Sequence, residues 1–466
     1  MTQLTSTRTD VGRELGWGPL LVVLAGTVVT FLDFFIVNVA LPAIHDELHA
    51  GPSAVLLVVA GYGLTFAAGM ITGGRLGDLH GRRRMFTVGL LLFTLASAAC
   101  GCAPTAGVLV AARLVQGAAG AILTPQVLAI LGAVYQGPRR GVAFAGYGFA
   151  MGIAGVLGQL VGGALIDWDV AGLGWRTIFL INVPIGLLVL PLIRRMVPES
   201  RGETARLDLV GMGLVAAFIA AIVLPLVEGR EHGWPRWTWL SLAAAPVLGL
   251  AFVVTQRRRP RQGRAPLLDL SLLRGRSLAL GSVTALAFSS VPPAFFFVLA
   301  LYLQHGRGYS ALFSGVVFVA VGIGYFAALL MAVSLAERMG RQVLALGALL
   351  VTAGCVALVP AIADSSALGL LPGLAVVGFG IGLVLVPLAS TVLAGVDPQH
   401  AGAASGVLAT AQQVGGALGV AVIGVVFYGG GSVPDSFRTS LWVTAGVAIA
   451  TAVLAQWLRP SDGAKR

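Results

Sequence analysis

Charge is what this sequence has least of. Its 466 residues include 30 Lys or Arg and 19 Asp or Glu, only 11% in all, where an ordinary soluble domain carries about 25%. So few charges cannot cover the surface of a water-soluble protein of this length. Lysine is nearly absent, Lys465 being the sole one. A phosphate-binding loop of the Gly-Lys-Ser/Thr kind is thereby excluded, and ATP hydrolysis by this chain with it. Three cysteines, Cys100, Cys102 and Cys355, lie in or beside apolar stretches without partner spacing, so there is neither a disulfide framework nor a metal site. The six His fall in loops or at helix ends, again without ligand spacing. No HExxH, no G-x-S-x-G with acid and His partners and no paired buried carboxylates are present, which excludes the common enzyme classes. Disorder is excluded because 57% of the residues are hydrophobic. The 64 glycines follow no G-X-Y period, so the chain is not collagen-like.

What is present is a series of long apolar runs. A helix needs about 20 mostly apolar residues to cross the hydrocarbon core. Fourteen runs qualify, at 18–42, 54–73, 85–103, 106–131, 141–166, 177–197, 209–227, 238–256, 277–303, 311–335, 343–363, 366–394, 401–428 and 439–458. The first is too long for a signal peptide and is followed by many more, so it is read as the first transmembrane helix. Alternating the loops across the membrane places 24 basic residues on one side and 5 on the other, with Arg113 inside the fourth run. The positive-inside rule then puts both termini in the cytoplasm. The net charge of +11 is a topology signal, and no basic domain stands apart to bind nucleic acid.

The chain also repeats itself. Leu76, Asp78, Gly81 and Arg82, after the second run, reappear as Leu335, Glu337, Gly340 and Arg341 at an offset of 259. VGGAL at Val161 to Leu165 returns at Val414 to Leu418 at an offset of 253. Two six-helix halves of the same orientation explain both matches, with the seventh and eighth runs as an inserted pair. Parallel repeats of this kind build a transporter whose site lies near the midplane between the halves. The fold class expected is therefore all-α and membrane-integral, two six-helix bundles plus two additional helices. The expected division is 1–200 for the first bundle, 201–265 for the inserted pair and its linker, and 266–466 for the second bundle.

Within the runs only Asp33 and Arg113 are ionisable acids or bases. Each costs at least about 2.5–3.5 kcal/mol at a helix centre, so such residues usually face an interior. Counting from the helix ends, both lie roughly 10–13 Å below the external boundary, and a direct or water-bridged pair is expected if their helices adjoin. Burial favours a neutral carboxyl and a guanidinium favours the anion. Asp33 is thus a candidate for taking up and releasing a proton, with Arg113 biasing it or binding substrate. Asn38 and Gln116, and further along Gln159, Gln412 and Gln413, are candidate cavity residues that would serve equally as interhelical hydrogen-bonding groups. Gly148, Gly152, Gly155, Gly158, Gly162 and Gly163, in steps of three and four, predict a smooth strip along the fifth helix for close packing. Pro292 and Pro293 are expected to break the ninth helix near its centre.

Several segments together are similar to the fourteen-helix drug:proton antiporters of the major facilitator superfamily, the EmrB/QacA type. They are Leu32-Asp33 through Asn38-Val-Ala-Leu-Pro42, Gly74 to Arg84, Ala112-Arg113-Leu-Val-Gln116-Gly117, Phe179 to Gly186 (FLINVPIG) and Ala401 to Gly419. The chain departs from the pattern at Phe35, where Thr is usual, at Leu79, where a basic residue is usual, and at Gln159, where Pro is usual. The resemblance implies the major facilitator fold and proton-coupled export of small amphipathic or apolar compounds such as antibiotics by alternating access. It links Arg113 to proton transfer and makes Gly74, Asp78, Gly81, Arg82 and Arg83, with Glu337 and Arg341 in the second half, a gating loop. Uptake, or export of one endogenous metabolite, is the alternative on the same scaffold. The peptide importers' ExxER motif is missing. The buried lysines of fourteen-helix proton-pumping subunits are missing too. With no second carboxylate in the runs, dications are not the expected substrates. No cofactor is expected beyond protons as the coupling ion. The expected partners are a small-molecule substrate and the lipid bilayer, the expected working unit is a monomer, and the expected location is a bacterial cytoplasmic membrane.

Overall fold

A computed structural model describes residues 17–202, 207–264, 266–268, 270–364, 366–393, 396 and 401–458. Arg8, Arg13, Arg206, Arg459, Lys465 and Arg466, counted above among the basic residues, lie outside them. Among the described residues, fourteen helices are long and apolar enough to span a membrane. They are α1 (Trp17–Leu48), α2 (Pro52–His80), α3 (Arg82–Gly101), α4 (Ala106–Val134), α5 (Arg139–Asp167), α6 (Gly174–Met196) and α7 (Leu209–Glu228). The series continues with α8 (Arg236–Gln262), α9 (Arg276–Gly306), α10 (Ala311–Met339), α11 (Gln342–Ala361), α12 (Ala367–Leu393), α13 (Ala404–Phe427) and α14 (Val433–Gln456). The tight cut between α3 and α4 falls at Cys102 to Thr105, where the Thr105 hydroxyl accepts the Val108 N–H and caps α4. Pro292 and Pro293 begin a new segment of α9 after an interruption at Ser290. Pro at the first turn removes an N–H that would otherwise lack a partner.

Packing follows the repeat. In the first half α2 packs on α4, α3 on α4, α1 on α5 and α3 on α6. In the second half α10 packs on α12, α11 on α12, α9 on α13 and α11 on α14, the same pairs eight helices on. The halves meet through α2 against α13 and α5 against α10, which exchange under the same relation. The loops repeat in detail as well. Arg83 Nη1 donates to Val197 O at the end of α6 (3.2 Å), and Gln342 Nε2 donates to Gln456 Oε1 at the end of α14 (2.9 Å). Both partners are shifted by the offset of 259 read from the sequence. Gly81 and Gly340 sit at φ 101° and 56°, a turn that a side chain would strain.

The two ends of the bundle differ. At the end opposite Arg75 and Arg82 to Arg84, the far end, the halves are closed on each other. There Gln304 Nε2 donates to Val39 O (2.9 Å) and the Leu312 N–H to Asp167 Oδ2 (3.1 Å). Gly163 and Gly315 bring α5 and α10 to backbone contact, since a Cβ at Gly315 would stand 2.5 Å from Gln159 O. Toward the basic end the halves part. Gly424 of α13 presses on Leu56 of α2, whereas Gly406, about five turns away on the same face, meets nothing within 4 Å. A Cβ at Gly152 of α5 would stand 2.8 Å from the Tyr325 ring of α10, and one at Gly148, one turn nearer the basic end, would meet nothing within 4 Å.

The inserted pair α7 and α8 packs beside the α2 and α13 contact. Its far-end turn touches both halves, with Glu231 Oε2 accepting the Ser53 N–H of α2 (2.7 Å) and Arg230 Nη1 donating to Val425 O of α13 (3.2 Å). Its other end holds a buried polar hub that hydropathy does not reveal. Asp208 pairs with Arg259 (2.8 Å), caps α7 through the Gly211 N–H (2.8 Å) and accepts from Gln256 Nε2 (2.7 Å).

Two outcomes are expected. Gly163→Val or Gly315→Val pushes backbone off backbone at the far end, at about 1–3 kcal/mol. That is a shift of roughly 5–150-fold toward the far-end-open arrangement, readable as longer spin-label distances between α5 and α10. Hydrogen bonding from the Ser53 hydroxyl and backbone N–H, with His232 nearby, holds the Glu231 carboxyl below its ordinary 4.5. A carboxylate with a depressed native value stabilises above its unfolded value and loses that contribution as pH falls through the native one. The melting-temperature difference between the wild type and Glu231→Gln should therefore be present at neutral pH and vanish on acidification below the glutamate range.

Candidate functional site

Asp33 of α1 and Arg113 of α4 form an ion pair between Oδ2 and Nη1, and both side chains are fully enclosed. Their depths match as the residue count requires. Each then acquires further partners. Arg113 Nε donates to Val58 O of α2 (2.9 Å), and Nη1 also donates to Gln116 Oε1 (2.7 Å). The guanidinium lies over the Tyr62 ring, 4.3 Å from its centroid, and near the Phe179 ring at 5.6 Å, a placement that favours a cation. Asp33 Oδ1 accepts from Gln116 Nε2 (2.8 Å) and from Asn182 Nδ2 of α6 (2.9 Å). Both amides also reach Ser97 Oγ of α3, at 2.6 and 3.3 Å. Five of the six helices of the first half thus contribute to the buried charge pair or to the groups bonded around it, α5 alone standing outside.

Every partner of the Asp33 carboxylate is a donor. That shell suits an anion, because a proton on Asp33 would find no acceptor. Two atoms of the network lack a protein partner, Arg113 Nη2 and Asn182 Oδ1. Rotating the Asn182 amide would replace its donor at Asp33 with an acceptor. The backbone at Asn182 begins a helical segment just after an interruption at Ile181, which sets its side chain at the level of Asp33. Asn182, Ser97 and Tyr62 were not marked by the sequence as site residues. Asn182 lies inside the quoted FLINVPIG segment, and its polarity in an apolar run was the available signal.

The other candidates separate. Gln116, for which a cavity role and a hydrogen-bonding role stood equal, is enclosed in the charge network. Asn38 is enclosed too and donates to Phe35 O of its own helix (3.0 Å). Gln159, where a kink-forming Pro was the pattern, is enclosed and donates across to the same Phe35 O (2.7 Å). None of these three faces open space in this conformation. Gln412 and Gln413 are half-buried at mid-depth on α13. The strip on α5 serves two neighbours rather than one. Gly155, Gly158 and Gly162 face α1, Gly152 and Gly163 face α10, and Gly148 faces neither.

In the cytoplasmic-type loop Asp78 pairs with Arg82 (3.1 Å), and Gly202 packs on the Asp78 carboxyl. The Arg82 N–H donates to Ser200 O (2.9 Å), and the Arg83 and Arg84 N–H groups donate to the Glu199 carboxylate (2.9 and 3.2 Å). Gly74 lies against Pro125 of α4, and Gly81 makes the turn. The whole segment is therefore tied within the first half. Arg341 donates to Leu458 O, while Glu337 is exposed at the end of α10.

A sequence profile described as Major Facilitator Superfamily matches residues 23–420. The chain belongs to the Major Facilitator Superfamily. Among similar members is the "Probable actinorhodin transporter" of Streptomyces coelicolor, 38% identical over 424 residues that cover 89% of this chain and 72% of that one. The "Puromycin resistance protein pur8" of Streptomyces alboniger is 35% identical over 464 residues, covering 94% and 90%. Among solved structures, a D-xylose-proton symporter superposes with a TM-score of 0.69 at 16% identity, covering 96% of this chain and 99% of that one, which establishes the shared fold. A superfamily member of this kind is a multi-pass transporter rather than an enzyme.

Removing one partner of an enclosed pair strands the other charge, at about 3–5 kcal/mol. Arg113→Ala should lower the melting temperature of the purified protein sharply, and adding Asp33→Asn to it should restore part of the loss. Equal melting of the single and double variants would contradict the pair's role in the fold.

Proposed function

We propose that this superfamily member is a proton-coupled exporter of antibiotic-like small molecules. Two of its relatives, one named a probable actinorhodin transporter and one for puromycin resistance, support export. The observation that carries the proton reading is the all-donor shell around an enclosed Asp33. In the far-end-closed arrangement that shell holds an anion. Protonation then calls for a rearranged neighbourhood, with Asn182 turned to accept and Arg113 drawn away from Asp33. A helix movement that opens the far end supplies such a rearrangement, so proton occupancy and access become linked. Arg113 stays charged throughout and acts on Asp33 rather than carrying the proton.

In this proposal both termini and the Gly74 to Arg84 loop face the cytoplasm, so the described conformation is open to the cytoplasm and closed outside. Asp78, Arg82 and Arg83 hold that loop against α6, and Glu337 and Arg341 are their counterparts at α14. The functional division is residues 1–200, 201–265 and 266–466, acting as a monomer in a bacterial cytoplasmic membrane. A dedicated exporter of one metabolite is the second reading, favoured by the single cargo in the first relative's name. Transport of several drug types by the pure protein decides for the broader one.

Everted vesicles give the test. The wild type should accumulate a transported compound when the interior is acid, with protons leaving as the compound enters. Asp33→Asn should insert normally and lose substrate-driven proton movement. Full proton movement in that variant, or compound and proton travelling in the same direction in the wild type, overturns the proposal.

A further inference from the structure

At mid-depth between the halves the structure gathers rings rather than charges. Phe35 of α1 stands 5.4 Å from Phe296 of α9, edge to face, and Phe296 stands 5.7 Å from Phe318 of α10. On the α5 side Phe149 lies 5.9 Å from Phe326 of α10, which is itself 5.9 Å from Tyr325. Phe35 with Phe296 and Phe149 with Phe326 join the first half to the second. Phe35, Phe296, Tyr325 and Phe326 are only half-buried, and Phe149 is 52% exposed. Glycines lie directly behind them. Gly155 stands 3.5 Å from the Phe35 ring and Gly152 meets the Tyr325 and Phe326 rings. The rings lie at the level where α5 and α10 begin to part, next to Gly148.

Among the described residues no unpaired formal charge shares this level with the rings. Asp33 and Arg113 are the ionisable pair at mid-depth, and both are enclosed in the first half and matched to each other. The polar groups at this depth are amides. On α13, Gly415 and Gly419 face α9, while Ala417 and Gly424 face α2. At about 100° per residue, Gln412 and Gln413 flank the sector between those two faces. Arg230 of the inserted pair reaches α13 on the opposite side, at Val425.

From this geometry we infer that the central site takes uncharged, planar, polycyclic aromatic molecules, stacked against Phe35, Phe296 and Phe326, with Gln412 and Gln413 hydrogen-bonding their carbonyl or hydroxyl groups. The inference rests on the transport reading above and names the substrate class of that same site. Flat rings gain from offset or edge-to-face contact with these side chains beyond the area they bury. A cation would find ring faces but no carboxylate to neutralise it in a low-dielectric space, and a bulky aliphatic molecule would lose the ring contacts.

The test uses the purified full-length protein and three probes by equilibrium dialysis. They are hydroxymethylanthraquinone (neutral and planar), ethidium (planar and cationic) and androstanedione (neutral and aliphatic). Hydroxymethylanthraquinone should bind at least about fivefold more tightly than either of the others, the scale of one or two aromatic contacts. Phe35→Leu should weaken that binding by about fivefold. Phe149→Leu, whose exposed ring contributes little packing, should weaken it in a protein that melts like the wild type. Phe313→Leu, at an exposed far-end ring, should leave it unchanged. Equal or tighter binding of ethidium, unchanged anthraquinone affinity in both Phe35→Leu and Phe149→Leu, or no anthraquinone binding by the folded wild type overturns the inference. Binding as expected without accumulation in everted vesicles supports the site and fails the export reading, so the two are distinguished.

Discussion

A carboxylate and a guanidinium, enclosed together in an apolar bundle, are the interaction on which the first half is organised. Neither charge is tolerable alone at that depth. Their pairing therefore fixes α1 against α4, and the groups that complete it recruit α2, α3 and α6 as well. A buried pair is weak evidence for stability as such, since desolvation offsets most of the attraction. Its cost is more readily understood if the pair has two useful states. The donors that surround Asp33 and the two unpartnered atoms, Arg113 Nη2 and Asn182 Oδ1, describe a network matched to one state and open to rearrangement.

Among its described residues the second half has no such enclosed pair, yet it repeats the packing of the first helix by helix. Duplication thus accounts for the scaffold, and the charge pair distinguishes the halves. Where the halves meet, glycine sets the distance. Backbone touches backbone at Gly163 and Gly315, and the same helices diverge beyond Gly148 and Gly406. Closure at one end with separation at the other is the geometry that alternating access requires, with α2–α13 and α5–α10 as the two sliding contacts. The inserted pair adds one feature absent from the repeat. Its turn reaches α2 through Glu231 and α13 through Arg230, so it spans the contact that must loosen when the far end opens.

Much of this was legible in the sequence because membrane insertion makes composition speak. Fourteen apolar runs and the pairing of Asp33 with Arg113 follow from the expense of exposing polar groups to lipid, and the offset of 259 follows from the internal repeat. The parts that were not legible are those where one residue type serves several ends. Gln116 and Gln159 look alike as amides in apolar helices, but one completes the charge network and the other bonds a carbonyl of α1. Ser97 and Asn182 carry too little cost in a helix to stand out. The glycines of α5 read as one strip because period alone cannot say that α1 and α10 share it. Asp208, at the first turn of α7, escaped notice because a cap position looks like a loop until Arg259 and Gln256 close over it.

The central claim is that Asp33 changes its protonation when access changes. Isotope-edited infrared difference spectroscopy on aspartate, between the far-end-closed protein and a far-end-open form trapped at neutral pH, reads that directly. The account predicts a carboxylate signal in the closed form and a protonated-carboxyl signal in the open form, both lost in Asp33→Asn. The same ionisation state of Asp33 in both forms would contradict it.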